Sequence, residues 1–143
     1  MTVKQALKQK NKLVADIKAN WTIINAQNSI EAGNPRRYSV VQKLDEINGL
    51  TNELVTLKAR IHAANQPVFH KIFLMAELKG MAKELKKLNV EEGKVNERYG
   101  SIQSIKEAEV NIAERDTLVK ELENKIEVLQ DELDTHNATV QII

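Results

Sequence analysis

The stretch NIAERDTLVKELENKIEVLQDELDTHNATV, residues 111–140, decides the fold. Within it Ile112, Arg115, Val119, Leu122, Ile126, Leu129, Leu133, His136 and Val140 follow one another in steps of three and four. That alternation holds one line of side chains on one face of an α-helix and is the spacing of a coiled-coil seam. Asn111 stands three residues before Glu114, the spacing in which a short polar side chain satisfies free N–H groups at a helix start. A helix predicted over residues 111–138 therefore carries a seam that needs a partner.

Three upstream segments have the same character. The first helix is expected over residues 2–30, opened by Thr2 and Gln5 at capping-box spacing, with the seam Val3, Leu7, Lys10, Val14, Ile17, Trp21, Ile24. Ala6 and Leu13 widen this stripe, and polar Asn20 ends the widening. The run Glu31-Ala32-Gly33-Asn34-Pro35 stops the helix, Gly33 as its left-handed cap. The second helix, residues 39–64, starts at Ser39 with Gln42 three residues on, and its seam is Val40, Leu44, Ile47, Leu50, Leu54, Leu57, Ile61, Ala64. Gly49 inside it costs about 1 kcal/mol relative to Ala unless close packing uses the missing side chain.

Pro67 suits the first position of a third helix, residues 67–92, with Val68, Ile72, Met75, Leu78, Met81, Leu85 and Leu88 in line and Gly93 as its end. Phe69, Phe73 and Leu74 lie off that line and widen the apolar arc, so this helix is either the most buried or in contact with another subunit. Residues 94–110 hold no helical period. They read as a short extended arm or an irregular loop, with a turn at Tyr99-Gly100 and a second possible helix start at Ser104 and Glu107. The expected fold is all-α: a single domain, 1–143, of four long helices in a coiled-coil-like bundle with this arm before the last.

Composition narrows the chemistry. The core has to be aliphatic, because only 3% of the 143 residues are aromatic, and five Gly and two Pro are too few for an all-β fold of tight turns. The absence of cysteine excludes disulfides, thiol catalysis and thiolate metal sites. Lysines interrupt the first twenty residues, so no secretory signal is read there, and no apolar run reaches the roughly 20 residues that span a bilayer. A cytoplasmic location is expected.

The net charge of +1 conceals an asymmetry. Residues 1–90 hold 15 Lys/Arg and 7 Asp/Glu, a balance of +8; residues 91–143 hold 6 and 13, a balance of −7. Such a division sets the acidic last helix beside basic segments, within the chain or in a second copy. A nucleic-acid binder more often leaves its basic charge unopposed. Lys4, Lys8, Lys12, Arg36 and Arg37 are candidate anion-binding residues, with a solvated face opposite the acidic helix as the favoured reading.

Catalytic and metal signals are weak. His62, His70 and His136 have no glutamate three residues upstream, so the Glu-x-x-His pattern of di-iron bundles is missing. Ser39 falls at a helix start and Ser101 and Ser104 in the arm, and the glycines form no phosphate-binding loop. No enzyme, cofactor or metal site is expected. The candidate interface or register residues are Lys10, Trp21, Phe69, Phe73, Arg115, Leu129 and His136. Lys10 and Arg115 are cations on apolar seams, which either fix register and oligomeric state or extend long stems to water.

Several local patterns occur in an order that resembles a small bacterial family of helical proteins of unknown activity, some of whose members carry the label septicolysin. They are Asn25-Ala26 followed by Glu31-Ala32-Gly33, Ile61-His62-Ala63-Ala64-Asn65, Arg98-Tyr99, Ile105-Lys106, Asn111-Ile112 and Leu133-Asp134-Thr135. The resemblance implies a helical fold and carries over no catalytic residues. A thiol-activated pore former needs a large β-rich chain with a cysteine-containing loop, and this chain has neither. The expected function is that of a non-catalytic structural or protein-interaction bundle, a homo-oligomer with the dimer favoured; the alternative is an anionic-surface binder, nucleic acid or membrane, using the basic N-terminal half.

Overall fold

A computed structural model describes residues 1–96 and 103–143. Helix α1 is Val3–Gln27, α2 is Val40–Asn65, α3 is Phe69–Lys86 and α4 is Ile112–Thr139. A 3-10 turn, Gln66–Val68, precedes α3, and strands β1 (Gly93–Asn96) and β2 (Gln103–Lys106) lie between α3 and α4. The chain is mostly helical, as the apolar periodicity requires. The Arg98-Tyr99 pair and the Tyr99-Gly100 turn lie outside the described residues.

The chain divides into two compact units, Met1–Pro67 with Thr135–Ile143, and Val68–Asp134. In the first unit, α1 and α2 pack closely along their lengths. Thr2 and Gln5 form the reciprocal capping box that their spacing predicts: the Gln5 amide donates to Thr2 Oγ1 at 3.2 Å, and the Thr2 amide donates to Gln5 Oε1 at 2.9 Å. Ser39 Oγ accepts from the Gln42 amide at 3.2 Å and so opens α2.

The core of this unit is Val3, Ala6, Leu13, Leu57, Ile61 and Ile142. Ile142 reaches it because the C-terminal segment runs antiparallel to the start of the chain. The Val3 amide donates to the Val140 carbonyl and the Ile142 amide to the Met1 carbonyl, both at 2.9 Å, and Arg60 Nε donates to the Ile143 carbonyl at 2.7 Å.

Burial corrects the seam of α1 by one position. The inward line is Val3, Ala6, Lys10, Leu13, Ile17, Asn20, Ile24, while Val14 and Trp21 remain 46% and 44% exposed. Asn20 belongs on it because a partner is supplied from α2: its Nδ2 donates to Glu46 Oε2 at 3.3 Å. A buried amide with a partner is tolerated where an unpaired one is costly. In α2, Lys43 is half-buried and Leu44 exposed, the reverse of the expected seam. Lys43 holds Glu46 at 3.2 Å and lies 5.3 Å from the Tyr38 ring centre, so its charge is satisfied while its stem packs.

Helix boundaries differ from the expected ones where punctuation was misassigned. α1 ends at Gln27 with Asn28 as its right-handed cap, and Gly33 adopts φ +91° further on, in the connecting loop. Pro67 sits in the 3-10 turn, and α3 stops at Lys86, capped by Lys87. Gly93, with φ +81°, begins β1 instead of ending the helix. The arm is a two-stranded antiparallel ladder from Gly93↔Lys106 to Asn96↔Gln103, which places Ser104 in a strand and removes it as a helix start.

In the second unit, α3 and α4 run in opposite directions, joined by ion pairs Lys71–Glu132 at 3.1 Å and Lys86–Glu123 at 2.9 Å. The acidic helix is thus set beside a basic one within the chain. Asn111 caps α4, its Oδ1 accepting from the Glu114 amide at 2.9 Å. The burial pattern of α4 follows its expected seam from Arg115 to His136, with Val119, Leu122 and Leu133 buried. Ile112 alone departs, being exposed at the first turn. In α3, Ala82 is buried and Met81 is 54% exposed, so the inward line runs Val68, Ile72, Met75, Leu78, Ala82, Leu85.

Candidate interaction surface

A helix whose apolar arc is wider than one neighbour can cover leaves part of that arc in water. α3 is such a helix. Phe73 is 64% exposed and stacks on Phe69 with ring centres 5.7 Å apart and planes 10° apart. Leu74 and Met81 on the same helix, and Leu88 just past its end, are exposed as well. Across from them on α4, Val128 is 58% exposed. Leu74, Leu78, Asn124, Lys125, Val128 and Leu129 line an apolar cleft of about 390 Å³.

The remaining candidate interface residues are dispersed. Lys10 is half-buried on the α1 seam, and Trp21 stands outside it. Arg115 is half-buried, and its guanidinium donates to Asp116 Oδ1 from Nε at 3.1 Å and from Nη2 at 3.0 Å. The cation on this seam is therefore held by its sequence neighbour. His136 Nε2 lies 3.2 Å from Asn65 Oδ1, a half-buried contact between α4 and the last residue of α2. A polar partner accounts for this histidine without a metal.

The five candidate anion-binding residues do not converge. Lys4, Lys8 and Lys12 are exposed at four-residue steps on α1 and take part in no ion pair among the described residues. Lys12 is fifteen residues before the end of α1, about 22 Å along the axis. Arg36 is at that far end and is already engaged, with Nε donating to the Gln27 carbonyl and Nη2 to the Asn28 carbonyl, both at 3.0 Å. It satisfies carbonyls that a helix C-terminus leaves open. Arg37 places its amide on Gln27 Oε1 at 3.1 Å, and its exposed side chain borders an open hollow with Asn28, Tyr38 and Ser39.

The role of Arg36 and the exposure of Met81 were not read from the sequence. A basic residue a few positions beyond a helix end was the available signal for the first. Among the described residues no three His, Asp or Glu side chains gather as a metal site, and no helix is long and apolar enough to cross a membrane. Comparison with profiles of known protein families, with curated proteins and with solved structures gives no match.

Proposed function

We propose that this chain is a non-catalytic, self-associating helical bundle that acts in the cytoplasm through protein contacts. The observation that supports this reading is the set of large apolar side chains left in water on helix faces: Val14 and Trp21 on α1, Phe73 and Met81 on α3, Val128 on α4. Covering a half-exposed side chain of this size contributes on the order of 1 kcal/mol. Association itself costs about 4–15 kcal/mol. Several such side chains on each copy must therefore be covered together, which selects a long helix-on-helix contact over a point contact. The dimer is the simplest closed form.

Co-expression of tagged and untagged copies tests the reading. Retention of the untagged copy on the affinity matrix is expected. Its loss, with a mass of 16.2 kDa for the purified chain, would overturn self-association.

A second reading rests on Lys4, Lys8 and Lys12, exposed in a row without acidic partners among the described residues. A row of this kind fits an anionic polymer or lipid surface. Titration with duplex DNA and with anionic vesicles at low salt distinguishes it, since binding lost in the Lys4/Lys8/Lys12→Ala variant would favour this role.

A further inference from the structure

We infer that the partner of the exposed α3 stripe is helix α1 of a second copy, meeting it through an unused heptad line; this rests on the self-associating reading. Two helices carry a second apolar line beside the one they bury. On α1 it is Leu7, Val14 and Trp21, at seven-residue spacing, with Val14 and Trp21 exposed and Leu7 half-buried. On α3 it is Leu74 and Met81, continued at the same spacing by Leu88 just past the helix end, all three exposed. A residue repeated every seven positions keeps one face toward a partner helix over several turns. Each line is thus the kind of surface the other can cover.

Charge selects between copies of the same line and the two different lines. Lys10 and Lys18 each stand four residues from Val14, Lys10 is three residues after Leu7 and Lys18 three before Trp21, so both border the α1 line. Glu77 and Glu84 border the α3 line in the same way, on either side of Met81. Over whole helices, α1 holds five Lys against one Asp, while α3 and α4, which share the cleft, together hold ten acidic residues against seven basic. Pairing α1 with α1 would oppose lysines, and pairing the α3–α4 faces would oppose carboxylates. Setting α1 on the α3–α4 face opposes unlike charges.

The size is adequate. α3 is 18 residues long, about 27 Å, and a face two helices wide is about 20 Å across. The footprint of on the order of 500 Å² corresponds to much of the roughly 800 Å² that each partner contributes to a standard interface.

The chain holds no cysteine, so Val14→Cys and Met81→Cys can be made singly and mixed. These positions are central to both lines and meet whether the helices run parallel or antiparallel. A disulfide dimer formed in the mixture, and not by either variant alone, is the expected result. A wild-type mass above 16.2 kDa with linkage only between like variants, or with none, would overturn the α1–α3 pairing and leave self-association standing. A wild-type monomer would overturn both. A second measurement uses charge: Lys10→Glu with Lys18→Glu, and Glu77→Lys with Glu84→Lys, should each weaken the dissociation constant about tenfold, and all four together should restore it. Absence of restoration in folded variants would overturn the pairing.

Discussion

Leu57→Ala tests the core of the first unit most sharply. Leu57 is 6% exposed and lies in the cluster formed by Val3, Leu13, Ile61 and Ile142. The substitution removes three carbons, worth about 0.8 kcal/mol each by transfer, or roughly 2.4 kcal/mol in total. A cavity walled by two helices and a terminal segment collapses only in part, so the full cost should reach about 3–4 kcal/mol. Val55 on the same helix is exposed, and Val55→Ala should change stability by less than about 0.5 kcal/mol. Urea unfolding followed by circular dichroism reads the contrast. With a slope of about 1–2 kcal/mol per molar, Leu57→Ala should lower the midpoint by roughly 1.5–4 M, or leave the unit unfolded in water, while Val55→Ala barely moves it. Equal midpoints for the two variants would refute the burial pattern of α2.

Other expectations follow from single residues. A Cβ at Gly49 meets nothing within 4 Å, so Gly49→Ala should raise stability by about 0.5–1 kcal/mol; Gly33→Ala, at φ +91°, should lower it by about 1 kcal/mol, both read from thermal melts. Asn111→Ala removes the cap of α4 and should cost about 1 kcal/mol, with faster amide exchange confined to the first turn. Leu129→Asp places a charge on the α4 seam beside the cleft and should lower the melting temperature or abolish higher mass in light scattering.

The parts of the fold that were legible in the sequence are those in which spacing admits one answer. α4 is the clearest: its seam allows no shift without turning charged residues inward, and its burial follows the alternation from Arg115 to His136. α1 offered two adjacent lines. Apolarity favoured the one with Val14 and Trp21, but the fold buries the one with Leu13 and Asn20 because Glu46, 26 residues away in sequence, meets the amide. Local pattern does not reveal such a partner. The end of α3 was overextended for a related reason. No Gly or Pro stands between Lys86 and Gly93, and the strand that follows the stop, with six residues between, pairs with a segment that begins only at Gln103. For the interaction surface, the wide arc on α3 was visible in Phe69, Phe73 and Leu74. That Met81 belongs to the outer line and Ala82 to the inner one required the packing against α4.

The central claim is that the exposed apolar lines are covered by a second copy, and mass as a function of concentration and salt tests it most directly. Light scattering over a micromolar dilution series should give a mass above 16.2 kDa that falls toward it on dilution, with the transition at higher protein concentration when salt is raised. A mass of 16.2 kDa throughout the series at low salt would contradict the account.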